Sequence, residues 1–588
     1  MRALSRASLT ALIAAALPTS LPAALPAALP AALPVVLSAA LSAALLTTPA
    51  RAEPPAPCAT TATHRISQVQ GEGDATPLAG QTVRVEGVVT GDFQRTDQLG
   101  GFFLQDPRQD ADPRTSEGLF AYAGEAVKDV EPGDRVLVTG RATEFNGWTE
   151  LSPVTAVDVC GTGRVAARPY RLPSGGLEPV ENMLLTFPQP LTVTEHYNLG
   201  RYGEVTLSSQ GRLFQPTDRR GVDPAANVRR SLLVDDGSTR ENPATLPPVV
   251  RAGDVASGLT GVLGYGFGAY RLQPTKPVAY RSANPRPRRP SPVAGNVKVA
   301  SFNTLNWFTT LGSRGAGDAE EQRRQLAKLV AALKGMNADA VALMEVENNG
   351  RTALQALVDA VNAEVGAGTY AALTHPHPGT DAIQVGLIYK PARLTPVGET
   401  RASQDAVFSR PPLIQTFRGK GGGRPFTLVV NHLKSKGSCP SSGPDADQGD
   451  GQGCWNATRV AQAEALLGIV ADLPGPIVLG DLNAYGEEDP IRTLERGGLA
   501  SVTKRFVPAP QRYSYVFDGL AGELDHVLVG RELRGRVTGA TIWHVNADEP
   551  RIRDYNTEFN PPDLYRPDAY RSSDHDPVIA GLTLPGGR

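Results

Sequence analysis

Only four cysteines occur in 588 residues, and no two are spaced as a Cys-x-x-Cys pair. The closely spaced thiols of a four-cysteine zinc site are therefore missing. An excess of positive charge is missing too, since 58 Lys and Arg stand against 60 Asp and Glu, a formal net charge of −2. Residues 1–52 hold Arg2, Arg6 and Arg51 and no acid, so the chain without them carries −5. That balance excludes a generally basic nucleic-acid binder, although a local patch remains open to it. After residue 52 no segment is apolar enough to span a membrane.

The opening residues read as an export signal. Arg2 and Arg6 form a basic start, a long Ala/Leu stretch follows, and Ala50-Arg51-Ala52 matches a small-residue cleavage site. A membrane anchor competes with this reading, but the repeated prolines each remove a helical hydrogen bond. A misassigned start codon ahead of a shorter signal is the other alternative. In an oxidising compartment the cysteines are expected to pair as Cys58 with Cys160 and Cys439 with Cys454.

The last 290 or so residues are rich in short polar motifs placed beside apolar runs. Asn303 follows Val297-Lys298-Val299-Ala300-Ser301-Phe302, and Glu345 follows Ala340-Val341-Ala342-Leu343-Met344. His432 follows Phe426-Thr427-Leu428-Val429-Val430-Asn431, and Asp481 and Asn483 follow Pro476-Ile477-Val478-Leu479-Gly480. Asp525 precedes Val527-Leu528-Val529, and His575 lies between Asp574 and Asp576 before Pro577-Val578-Ile579-Ala580. The runs read as buried strands, and α/β sheets bind ligands at such strand ends. Carboxylates and amides suit a hard metal ion, which takes one or two carboxylates and keeps waters and a substrate phosphate. Histidines titrate near neutrality and move protons, with a carboxylate fixing the tautomer. A lone Glu or Asp after a strand is more often a cap or turn residue than a metal ligand, and a lone His is usually structural or exposed. Six together point to hydrolysis of a phosphate ester, where charge must be neutralised, a water prepared and a leaving oxygen protonated.

These residues resemble the endonuclease/exonuclease/phosphatase superfamily over about 296–584. Pro411-Pro412-Leu413-Ile414-Gln415-Thr416-Phe417, Gly453-Cys454-Trp455-Asn456-Ala457-Thr458-Arg459 and Tyr513-Ser514-Tyr515-Val516-Phe517-Asp518-Gly519 narrow the resemblance to secreted bacterial nucleases of the ExeM/NucH type. The resemblance implies that Asn303 and Glu345 flank a catalytic metal, with Asp574 as a further carboxylate on its side. It implies that Asp481 positions the attacking water, that Asn483 contacts the phosphate, and that His432 and His575 act on it. Asp525 would orient His575. Magnesium is the expected ion, with manganese or calcium as alternatives. Lys434, Lys436, Arg459 and Arg571 are candidates for a phosphate-binding patch, each with a solvated-surface reading beside it. Asp381 is the acid nearest to a further family position, with a turn role as its alternative.

The N-terminal half reads differently. Val83–Val89, Gly101–Asp106 and Arg135–Gly140 are strand-like runs between turn residues. They imply a small barrel of the oligonucleotide/oligosaccharide-binding type, such as precedes the nuclease domain in secreted relatives. A faint repeat implies a second β-module, and Phe93, Phe145 and Trp148 are candidate stacking residues, with core packing as the alternative. Asn284-Pro285-Arg286-Pro287-Arg288-Arg289-Pro290-Ser291-Pro292 reads as a linker. The expected organisation is a signal at 1–52, a barrel at 58–160, a β-rich module at 165–282, a linker at 283–295 and a catalytic domain at 296–588. The expected fold class is multidomain, with all-β OB-like modules ahead of an α/β four-layer sandwich of the deoxyribonuclease type. The expected function is a secreted, metal-dependent, monomeric nuclease acting on extracellular DNA, free or on the outer surface. RNA is the alternative polymer. A lipid or sugar phosphoesterase and a non-catalytic DNA-binding protein are the competing functions.

Overall fold

A computed structural model describes residues 58, 60–124, 128–243, 245–559 and 563–584. The export segment read at 1–52 lies outside the described residues. Among the described residues no helix is long and apolar enough to cross a membrane.

Five strands, Thr82–Phe93, Gly101–Gln105, Gly118–Tyr122, Asp134–Phe145 and Trp148–Thr162, close into a barrel. The last two are joined through Asn146 and Gly147, both at positive φ (53° and 85°), the geometry a two-residue hairpin turn requires. Val83, Val85, Leu104, Val136 and Val138 alternate inward to fill the barrel. The Cys58–Cys160 disulfide ties the chain entering the barrel to its last strand. A nine-stranded sheet follows between Arg168 and Arg281.

Barrel and sheet share a buried aromatic seam. Phe93, Phe103, Phe120 and Trp148 from the barrel pack on Val262, Leu184 and Tyr265 of the sheet. The Trp148 ring stacks on Phe120 at 4.3 Å, and its Nε1 donates to Asn182 Oδ1 at 2.7 Å. Two candidate stacking residues take the core-packing alternative here. Phe93 and Trp148 are 8% and 9% exposed, because the neighbouring sheet occupies the face they line. Phe145, at the hairpin tip, stays 58% exposed.

The remaining residues form four layers. One six-stranded sheet runs in the order 371–372, 383–389, 340–347, 297–307, 578–582, 537–542. The other runs 394–402, 413–419, 426–432, 476–481, 525–529, 500–501. Their inner faces meet through Val299, Ala342 and Val385 on one side and Leu428, Val430 and Leu479 on the other. Helices Ala319–Met336 and Thr352–Val365 cover the first sheet's outer face, and Asn456–Val470 and Asp489–Arg496 cover the second's. Asp318 caps the first of these helices through the Glu321 N–H.

Each sheet holds one parallel pair, Val297–Trp307 with Ala340–Glu347 and Phe426–His432 with Pro476–Asp481. A parallel pair needs a crossover, and a helix supplies it in both cases. Both pairs therefore aim their C-terminal ends, and the polar residues there, at one place.

The segment read as a linker is strapped down. Arg286 forks onto buried Glu549 with both contacts at 2.7 Å, and Pro287 O accepts from Trp543 Nε1. Buried Asp548 likewise joins the nine-stranded sheet to the four-layer domain, taking Arg212 at 2.7 Å and the Tyr513 hydroxyl at 2.9 Å.

The aromatic seam sets the first prediction. Trp148→Ala should lower stability by about 3–5 kcal/mol, the usual cost of emptying a large aromatic site. Guanidinium unfolding measures it, and an unchanged midpoint would contradict a shared core between barrel and sheet.

Candidate active site

The site begins with two departures from regular strand. Asn303 and Glu345 do not end their strands, which run on to Trp307 and Glu347. The ladders slip at these points, between Asn303 and Trp307 on one strand and between Leu343 and Val346 on the other. Glu345 has φ 62°, Leu305 51° and Asn306 54°. Non-glycine residues pay for that conformation and hold it only where the surroundings enforce it. Here the slip turns the Glu345 carboxylate out of the ladder, where it accepts Asn303 Nδ2 at 3.1 Å and the Asn306 N–H at 3.0 Å.

His432 and Asp481 are the last residues of neighbouring parallel strands and stand in register. Asp525 opens the next strand and pairs in register with Asp481. One carboxylate therefore meets residues from both sheets. Asp481 Oδ2 lies 3.2 Å from Asn303 Nδ2, 3.5 Å from His432 Nε2 and 3.8 Å from His575 Nε2, while Oδ1 accepts the Asn483 N–H at 2.9 Å. Asp525 Oδ2 holds His575 Nδ1 at 2.7 Å, and Tyr515 stacks on the same ring at 4.5 Å. Asn483, at φ 47°, donates its amide to Leu433 O.

Burial sets the charges. It drives the Asp481 carboxyl up to about 6, against the pull of His575. Burial, and then the charge of Asp574, raises Glu345 to about 7. Burial alone would favour a neutral His575, but Asp525, Asp481 and Asp574 outweigh it and hold the ring well above its ordinary value. His432 goes the other way, held well below its ordinary value by burial and by the charges of Arg410 and His575. Two histidines on one carboxylate thus carry opposite protonation, the pattern of an acid and a neutral partner.

Arg410 is the residue the motifs missed. It is buried, its Nη1 lies 3.2 Å from His432 Nδ1, its Nη2 donates to Leu433 O, and its Nε makes no hydrogen bond among the described residues. It stands directly before the Pro411–Phe417 stretch, the only local signal available. Asp381 lies beside it at 3.9 Å and also pairs with Arg314.

The expected phosphate patch is largely corrected. Arg459 is fully buried and donates to the carbonyls of Lys434, Cys454 and Gln452. Lys436 is neutralised by buried Glu488 at 2.7 Å. Arg571 donates to Asn546 O and Glu549 O. Lys434 stays partly exposed, its ammonium 4.3 Å from the centre of the Trp455 ring, beside the Cys439–Cys454 disulfide.

Among the described residues no three His, Cys, Asp or Glu gather closely enough to hold a metal unaided. Magnesium asks for less, one or two carboxylates with waters and substrate phosphate making up the rest. Glu345 and Asp574 supply hard oxygen donors, and their mutual repulsion would be relieved by a cation. The donor set fits a divalent ion of that kind. Asn303, by contrast, turns its amide nitrogen to Glu345 and Asp481, bridging the carboxylates.

Residues 300–575 match the model of the Endonuclease/Exonuclease/phosphatase family. That stretch is similar to an endonuclease/exonuclease/phosphatase domain. Residues 176–283 match a model described as Domain of unknown function (DUF8508). No curated protein matches the chain. Similar solved structures include an endonuclease/exonuclease/phosphatase family protein from Bacteroides thetaiotaomicron, 15% identical, covering 48% of this chain and 96% of its own, at TM-score 0.34. The human Nocturnin catalytic domain with bound sulfate anion is 19% identical, covering 51% and 100%, at TM-score 0.33. Mannosyl-6-phosphatase from Bacteroides thetaiotaomicron VPI-5482 is 16% identical, covering 49% and 100%, at TM-score 0.34. The family match supports a phosphoester hydrolase.

A pH effect follows. Glu345 is harder to ionise in the folded chain than in the unfolded one, so its contribution is intact below about pH 4.5 and is lost as pH rises through about 7. With chelator present, Glu345→Gln should therefore stabilise the protein by about 1–3 kcal/mol at pH 8 and by nothing at pH 4. Magnesium should raise the parent's melting temperature at pH 8 but not the variant's. Equal stability of both proteins at both pH values, with no response to magnesium, would contradict the assignment.

Proposed function

We propose that the chain is a secreted, divalent-metal-dependent nuclease that hydrolyses phosphodiester bonds of extracellular DNA. The observation that carries this is the convergence of His432 and the Asp525-held His575 on one buried carboxylate, Asp481, beside Glu345. A bound divalent ion at Glu345 and Asp574 would neutralise phosphate charge and polarise the ester. Asp481, raised toward neutrality, takes a proton from water aligned opposite the leaving oxygen. His575 carries a proton that Asp525 keeps on the ring, and donates to a phosphate oxygen as charge builds there. His432, neutral beside Arg410, orients its ring without adding charge, and Arg410 supplies a fixed cation for a non-bridging oxygen. Asn483 and Lys434 would contact the same phosphate.

Export is supported by the signal-like start and by the two disulfides. The closed five-stranded barrel supports the reading of an OB-type module and, with it, the resemblance to ExeM/NucH-type nucleases. With its aromatic face covered, this barrel acts as a support, and polymer contacts fall to the catalytic domain.

Hydrolysis of bis(p-nitrophenyl) phosphate against p-nitrophenyl phosphate tests the reading. The diester should be cleaved faster. His575→Ala and Asp481→Asn should each lower kcat by about 10²–10⁴ with the fold intact by circular dichroism. Normal turnover in either variant would sink the site assignment.

A further inference from the structure

The domain of unknown function sends a short arm into the catalytic domain. Leu213–Phe214 pairs in parallel with Leu520–Gly522, and the Gln215 N–H continues the ladder onto Ala521 O at 3.0 Å. Leu520–Gly522 is one half of a hairpin whose other half, Tyr515–Phe517, carries the ring stacked on His575. Beyond Gln215 the arm enters a buried seam between two catalytic segments. Thr217 O accepts the Glu487 N–H at 2.9 Å, and its hydroxyl donates to Glu488 at 2.8 Å.

Asp218 is the end of the arm. It is 2% exposed. One of its oxygens, Oδ1, accepts the Glu523 N–H at 2.9 Å and the Gly486 N–H at 3.5 Å. Glu523 stands two residues before Asp525, and Gly486 three residues after Asn483. The other oxygen, Oδ2, is held by Arg219 at 2.8 Å, and Arg219 in turn donates to Ala509 O and Arg512 O. Contact at Gly486 is so close that a Cβ there would lie 2.8 Å from Asp218 O. A single carboxylate from a separate domain thus ties the loop after Asp481, which carries Asn483 and Gly486, to the segment that leads into Asp525.

We propose that Asp218 is a positioning residue of the active site, and that the domain of unknown function serves as a splint bracing the loop that carries Asn483 against the segment that leads into Asp525 and its partner His575. The proposal rests on the phosphodiesterase reading for its kinetic consequence and on geometry alone for its structural one. Acid–base groups work only when held in reacting geometry, and a displacement of about 1 Å costs up to about 10²-fold in rate.

The test compares Asp218→Ala, Asp218→Asn and Leu185→Ala in the full chain. Asparagine keeps an acceptor oxygen for both N–H groups and alanine does not. Leu185 is buried in the core of the same domain, so its truncation lowers stability without reaching the seam. Asp218→Ala should lower kcat for diester hydrolysis about 10–100-fold while KM moves less than about threefold. Asp218→Asn should recover kcat to within about threefold of the parent, and folded Leu185→Ala should match the parent. Parental kcat in Asp218→Ala, equal damage from asparagine and alanine, or the same loss in Leu185→Ala would each overturn the proposal. If Asp218→Ala fails to fold, Asp218→Ser, too short to reach both N–H groups, carries the same expectations. An unsubstituted chain that cleaves no diester would sink the nuclease reading alone. Amide exchange over 514–526 would then decide, with faster exchange in Asp218→Ala than in Asp218→Asn expected, and no difference from the parent overturning the splint.

Discussion

A buried carboxylate, Asp481, is the constraint on which the rest of the site depends. Taking a charge out of water is costly unless donors surround it. The chain surrounds Asp481 with the Asn303 amide, the Asn483 N–H and two imidazoles drawn from both sheets. The same low dielectric that makes the arrangement costly gives each proton and each cation nearby a large effect. Burial keeps His432 neutral and Glu345 reluctant to ionise, whereas the carboxylates of Asp525, Asp481 and Asp574 hold the proton on His575 against it.

The β-rich half of the chain acts on this centre mechanically. The barrel covers its aromatic face with the nine-stranded sheet, and that sheet is bolted to the catalytic domain through buried Asp548 and Glu549. Buried ion pairs contribute little net stability compared with apolar packing, but they punish any other arrangement of the partners. Residues 213–219 complete the coupling by joining a strand of the site's own hairpin. Domains that look separable in sequence therefore meet in one continuous set of contacts.

The candidate set was legible because its residues lie at the ends of short apolar runs. The run fixes a strand, and the strand fixes where its polar end residue emerges, as His432, Asp481 and Asp525 illustrate. Asn303 and Glu345 were legible as residues but not in their backbone geometry, since ladder slips and positive φ leave no mark in hydropathy. Arg410 escaped because its role comes from tertiary burial beside His432. Arg459 and Lys436 misled for the mirror-image reason. A basic residue near a motif reads as surface until carbonyls or a carboxylate, here Glu488, are seen to consume its charge. Phe93 and Trp148 looked like a stacking platform because single-strand binding and domain packing draw on the same aromatics. Asp218, with no motif around it, was invisible.

The central claim, that this cluster hydrolyses phosphodiesters with a divalent ion's help, is tested most directly by digesting supercoiled plasmid with the purified protein. The account predicts nicked circles in magnesium and intact supercoils once a chelator is added. Plasmid left untouched in magnesium, manganese and calcium alike would contradict it.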